Sequence, residues 1–251
     1  MLISNKPLLR IVIFYVLALV ISNFFRFNLF GVYESLNKLG TWNKLFFAPL
    51  QSFGVLLGAL VALFLLRRSR PLKFSFLGTR PPLSVLMGAL PIVFFSIAGV
   101  ANTAGTNPHL LGFVLGVALL AYAIFEEFGW RGYMEDELGS QKEVTRVLVV
   151  ASCWYVWHLS FLTNFDLLSN AKFFGIMLLG SWGIGKVIRA THSVLAAACF
   201  HTLYNVFTIH EEDILLSNTL KFWYIGLCVV LWIFIVKVWE RLQALKTPLT
   251  G

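Results

Sequence analysis

The stretch LLGFVLGVALLAYAIFEEFGWRG, Leu110 to Gly132, decides the fold. It runs without a charge as far as Phe125 and then places Glu126, Glu127 and Arg131 at its end. About 20 apolar residues are needed for a helix to cross a bilayer. The part from Leu110 to Phe128 therefore reads as a membrane span. Ionisable groups inside a span are costly and face an interior cavity when they occur. Three of them at one span end ask for a chemical reason.

Composition agrees with a membrane solvent. The chain has 251 residues, of which 58% are hydrophobic and only 13% are charged. A soluble domain carries about 25% charge. The net charge of +8 does not mark a nucleic-acid binder, because the basic residues sit between apolar runs, where they orient spans. Cys153, Cys199 and Cys228 lie inside apolar runs with no Cys-x-x-Cys pair and read as packing residues. The apolar run after MLISNKPLLR continues to about Leu29 without a small-residue cleavage site, so it reads as a retained first span.

Eight spans are predicted: Ile11–Leu29, Phe46–Leu66, Leu83–Ala101, Leu110–Phe128, Val147–Leu162, Lys172–Ile188, Ser193–Ile209 and Phe222–Val238. The sixth holds Gly175, Gly180, Gly183 and Gly185, which predicts close helix packing. With the N-terminus in the cytoplasm, fifteen Lys and Arg fall on inside segments and five on outside segments. That bias fits both termini inside. RRSRPLK, Arg67 to Lys73, is the sharpest signal and reads as a topology anchor. The fold class is thus an all-α polytopic bundle forming one membrane domain over 1–251. Residues 1–80 hold the leading spans, 110–209 the motif-bearing core, and 219–251 the last span and a cytoplasmic tail.

Polar residues within the spans suggest a site. Glu127 and Arg131 are four apart and can pair on one helix face. Glu126 points about 100° away from Glu127 and is left aimed elsewhere. The fifth span carries His158, one turn after Trp154, and the seventh carries His201 and Asn205, again four apart. Ser152 and Cys153 face away from His158 on a helix. His192 sits at a span's inner edge, and His109 and His210 at outer edges. A buried glutamate can take a proton from water, a histidine can orient that water, and a second His with an Asn can donate to a carbonyl oxyanion. Such a set suffices for peptide hydrolysis. Glu126, His158 and His201 could instead form a His₂Glu zinc site, although no His-Glu-x-x-His motif is present. The same Glu and His groups could relay protons in a transporter, but no paired halves are visible.

EEFGWR (Glu126–Arg131), WYVWH (Trp154–His158) and HTLYN (His201–Asn205) resemble, in order and spacing, the motifs of the CPBP family. That family contains the CAAX prenyl endopeptidases, the Abi proteins and the bacteriocin self-immunity proteins, polytopic intramembrane proteases now called glutamic-type. The resemblance covers about 40% of the chain, Leu110 to Ile209. It departs at Trp154, where the family usually has Phe; Trp154 is a candidate for the substrate pocket. The resemblance implies an endopeptidase acting on a membrane-associated protein or peptide, a CAAX-type tail or a bacterial peptide precursor. Glu126 would be the base, aided by His158. His201 and Asn205 would form the oxyanion hole, and Glu127 and Arg131 would support the site. No cofactor is expected, with Zn²⁺ as the alternative. The family also implies a non-catalytic immunity or scaffold protein as the other reading. In a prokaryote the protein would lie in the cell membrane, its site opening toward the cytoplasm.

Overall fold

The computed structural model describes residues 7–29, 31, 41–66, 71–209 and 214–245. Arg67 to Arg70 of the basic run, and His210, lie outside them. The described chain is all-α. Its long helices are α1 (Pro7–Arg26), α2 (Thr41–Leu60), α3 (Pro81–Ala98), α4 (Pro108–Glu127), α5 (Glu143–His158), α6 (Leu167–Thr191), α7 (Val194–Thr208) and α8 (Asn218–Ala244). Each of these eight falls on one of the eight expected spans. Six of them are long and apolar enough to cross a membrane, whereas α5 and α7 are shorter. These two carry His158 and His201.

Local chemistry sets the helix ends. Asn107 caps α4 through its side chain with Pro108 in the first turn, Ser193 caps α7 and Ser217 caps α8. Asp166 caps α6, and the hydrogen bonds from Ser169 hold its carboxyl below the usual carboxylate range. Leu159 and His192 stop α5 and α6 in the left-handed conformation. Past Glu127 the α4 backbone continues as a π-helix over Phe128–Met134 and a last α turn over Glu135–Glu137.

Two links define the ends of the bundle. At one end a two-residue ladder pairs Ala101 and Asn102 with Leu215 and Ile214, joining the approach to α4 with the exit from α7. At the other end Ser75 bridges Ser193. Arg10 pairs with Glu137 at 3.0 Å there, and Arg189 bonds Glu135 and Glu143. This second end carries most of the basic residues and is called the basic end; the first is the ladder end.

α4 is the central helix and packs on α2, α3 and α7. Its glycines permit this. A methyl group on Gly112 would lie 2.0 Å from the Phe95 carbonyl oxygen, and one on Gly116 would lie 2.8 Å from Ile92 Cα. α6 meets the expectation of close packing only in part. A Cβ on Gly175 or Gly183 would meet nothing, whereas one on Gly180 would lie 3.1 Å from the Trp154 ring and one on Gly185 3.0 Å from the Glu135 carboxylate. Closer approaches to backbone are made on α2 and α4. Gly112→Ala should therefore force α3 and α4 apart, at about 3 kcal/mol or more. Its thermal midpoint in detergent should fall by several degrees while Gly183→Ala leaves it unchanged.

Two hydrophobic cores result. One gathers α3, α4, α7 and α8 around Phe95, Tyr224 and Trp232. The other gathers α1, α2, α5 and the π segment around Phe14, Trp130 and Trp157. Large apolar side chains such as Leu179, Phe222, Trp223 and Val230 point outward and are exposed. That is the surface of a protein solvated by lipid. Glu126 and Glu127 lie at the seam of the two cores.

Candidate active site

The site starts from the α4 periodicity. Tyr122, Glu126 and Trp130 recur at four-residue steps and share a face, while Glu127 and Arg131 share the neighbouring one. All four of Glu126, Glu127, Trp130 and Arg131 are buried. The two faces address different helices, so the adjacent carboxylates acquire different partners.

Glu126 turns toward α5. Its Oε2 accepts the Trp154 indole N–H at 2.6 Å and the Trp130 indole N–H at 3.3 Å. Its Oε1 is buried with no hydrogen-bond partner. The Tyr122 hydroxyl, one turn back, interacts with the same carboxylate. Such an arrangement holds one oxygen still and presents the other.

Glu127 turns toward α7. Its Oε1 accepts from Arg131 Nη1 at 2.9 Å, the pair expected from the sequence, and contacts His201 Nδ1 at 2.6 Å. Arg131 also donates to Ser181 Oγ on α6 at 3.3 Å and stacks over Trp154 at 4.2 Å from the ring centroid. Trp154 thus performs three tasks at once. Its N–H holds Glu126, its face carries Arg131, and the His201 ring packs against it edge-on at 5.2 Å.

The remaining expected residues surround this centre. His158 Nδ1 lies 2.8 Å from the Trp154 carbonyl oxygen. A carbonyl only accepts, so Nδ1 carries the proton and Nε2 offers a lone pair. The ring is wedged against Trp157 and Phe173. Asn205 lines a cavity of about 300 Å³ with Tyr122, Leu115, Leu119 and Thr208, and its Nδ2 has no hydrogen-bond partner. A second, apolar cleft of about 200 Å³ lies between α6 and α7 and ends on Trp154 and His201. Ser152 is exposed and Cys153 leans on the α1–α5 core, away from the carboxylates. His109 and His192 hold backbone carbonyls at opposite ends of the bundle.

Several contributors escaped the sequence reading. Tyr122 and Trp130 stand four residues on either side of Glu126, and that spacing was the signal available. Ser181 gave none. Arg26, a charge inside the first expected span, donates to the Trp157 carbonyl at 2.7 Å and lies over the Trp157 ring at 4.3 Å, next to His158. The cavity is lined by the α7 exit, by Leu45 of α2 and by Ile214 of the ladder, and so lies toward the ladder end.

A zinc ion would need Glu126, His158 and His201 to converge. Among the described residues no three His, Cys, Asp or Glu side chains are placed to hold one ion. Glu126 keeps Oε1 and the two histidines keep Nε2 as the atoms each could offer, but the three do not converge on one point in this structure, and no step is assigned to a metal.

Residues 107–207 match the family model described as Rce1-like, "Type II CAAX prenyl endopeptidase Rce1-like". The match spans about 40% of the chain and contains Glu126, Glu127, Arg131, Trp154, His158, His201 and Asn205. No curated protein and no solved structure matches the chain.

Proposed function

We propose that this chain, a multi-pass membrane protein which over residues 107–207 belongs to the type II CAAX prenyl endopeptidase Rce1-like family, is an intramembrane endopeptidase. Glu126 serves as the base that activates water. The observation that carries this role is a buried carboxylate hydrogen-bonded by neutral indoles. One Glu126 oxygen is fixed by two indole donors and the other is buried without a partner; Glu127 also has a partnerless Oε2, but its charge is matched by Arg131. A buried group in the state of Glu126 asks for a functional partner.

The chemistry follows from the atoms in place. Glu126 Oε1 takes a proton from water, and the resulting hydroxide attacks the peptide carbonyl carbon. His158 Nε2 accepts the second hydrogen of that water and so orients it. The carbonyl oxygen becomes an oxyanion, to which Asn205 Nδ2 donates. His201, whose Nδ1 is held by Glu127, adds a second donor through Nε2 when the ring is protonated. As the tetrahedral intermediate collapses, the C–N bond breaks and the proton held by Glu126 passes to the leaving amine. Glu127 and Arg131 position His201 and Trp154 and do not touch substrate.

The substrate is a membrane-associated protein or peptide, either a CAAX-type tail or a bacterial peptide precursor, cut within the bilayer of the cell membrane. Proteoliposomes containing a chelator provide the test. Wild-type protein should cut a membrane peptide there and Glu126→Gln should not. Equal cutting by both would sink the mechanism. Trp154→Phe keeps the ring but removes the 2.6 Å donor. It should fold normally and cut roughly tenfold more slowly, the effect of losing about 1.5 kcal/mol of a charge-assisted hydrogen bond.

A further inference from the structure

Helix α1 lies outside residues 107–207, yet it holds the end of α5 that carries His158. The Tyr15 hydroxyl donates to the Cys153 carbonyl at 3.1 Å, and the Trp157 indole N–H donates to the Ala18 carbonyl at 3.2 Å. Arg26, the last residue of α1, adds contacts of its own. Its Nη1 donates to the Trp157 carbonyl at 2.7 Å and to Asn23 Oδ1 at 2.8 Å, and its guanidinium lies 4.3 Å over the Trp157 ring.

The end of α5 needs such a partner. The last four carbonyls of a helix lack an intrahelical donor. Here the Val156 carbonyl receives the Leu159 N–H, and the Trp157 carbonyl receives Arg26. A cation at a helix C-terminus also complements the helix dipole. No glycine stops this helix. Leu159 takes the left-handed conformation at φ 53°, which is uncommon for a residue with a side chain.

The hold reaches the site by two routes. The carbonyl that Arg26 grips belongs to the peptide joining Trp157 to His158, so the grip fixes the backbone on which the His158 ring is mounted. The fully buried Trp157 ring is the second route. It backs His158 edge-on at 4.8 Å and Trp130 at 6.0 Å, and Trp130 donates to Glu126 Oε2 at 3.3 Å.

We infer that Arg26 is a positioning residue of the active site. From a helix outside the matched segment, and through Trp157, it sets where His158 Nε2 and Glu126 Oε1 stand relative to each other. The inference rests on the endopeptidase reading for its kinetic consequence, but not for the hold on α5.

Arg26→Met and Arg26→Lys in the full chain test it. Met keeps an unbranched stem and removes the donor and the charge. Its kcat on a membrane peptide in proteoliposomes should fall by about tenfold to a hundredfold, since a misplacement of about 1 Å costs that much, while KM stays unchanged. Lys keeps a cation and a donor but cannot bond Trp157 and Asn23 while lying flat on the indole, so it should fall between Met and wild type. Hydrogen exchange in detergent, read by mass spectrometry, should quicken over the last turn of α5 in Arg26→Met and stay level over α8. Wild-type kcat in Arg26→Met, a rise in KM alone, or unchanged exchange in α5 each overturns the inference. Equal losses in Met and Lys, with the thermal midpoint lowered in both, would make Arg26 a residue of the fold and overturn it too. Should Arg26→Met fail to fold, Arg26→Lys decides by the same readouts, and wild-type kcat with wild-type exchange overturns the inference. If the wild-type protein cuts nothing, the endopeptidase reading fails, and the exchange result alone decides whether Arg26 holds α5.

Discussion

Glu126→Gln is expected to fold and to lose cleavage by about a thousandfold or more, within the range attributed to a positioned base. The amide keeps the shape of the carboxylate, and its carbonyl oxygen can still accept from Trp154 and Trp130. What it loses is the ability to take a proton from water. A neutral amide is also cheaper to bury than a carboxylate. The thermal midpoint of the variant in detergent should therefore stay level or rise. This pairing of an inactive site with undiminished stability separates the two family readings. An immunity or scaffold protein would keep its protective phenotype in the Gln variant, because nothing in its packing has changed. An endopeptidase would lose its product. Wild-type cleavage by Glu126→Gln would move the base elsewhere.

What the sequence disclosed here is what one helix can disclose about itself. Apolar run length located all eight helices. Four-residue spacing paired Glu127 with Arg131 and set Glu126 on another face, and the structure keeps both features. The same rule could have found Tyr122 and Trp130. Contacts between helices were beyond it, because rotation of one helix against another is decided by packing across the interface. Trp154 donating to Glu126 from 28 residues away, and Ser181 meeting Arg131 from 50 away, belong to that class. So does His201, which falls to Glu127 and not to Glu126. The α6 glycines show the complementary limit. A stripe of small residues permits close approach, but at Gly175 and Gly183 no neighbour takes it up.

Arg131→Ala is the substitution expected to damage the fold most. It leaves the Glu127 carboxylate fully buried with only His201 on its Oε1, and strips Trp154 of its stacked guanidinium. Removing one partner of a buried pair destabilises by about 3–5 kcal/mol, because the other charge stays behind in a medium that cannot solvate it. The bilayer interior gives no relief. The expected result is poor yield and a thermal midpoint lowered by many degrees, with cleavage lost in whatever protein remains. Arg131→Lys should recover only part of the stability, since an ammonium cannot bridge Glu127 and Ser181 while lying flat on an indole. The decisive comparison is Arg131→Met combined with Glu127→Gln. If charge imbalance is the cause, the double variant should be more stable than Arg131→Met alone, by an interaction energy of about 1–3 kcal/mol. It should remain inactive, because His201 then lacks the carboxylate that holds its Nδ1. A double variant as unstable as the single would show that Arg131 acts by packing under Trp154 and not by neutralising Glu127, and the division of the two adjacent glutamates into a base and a brace would lose its electrostatic half.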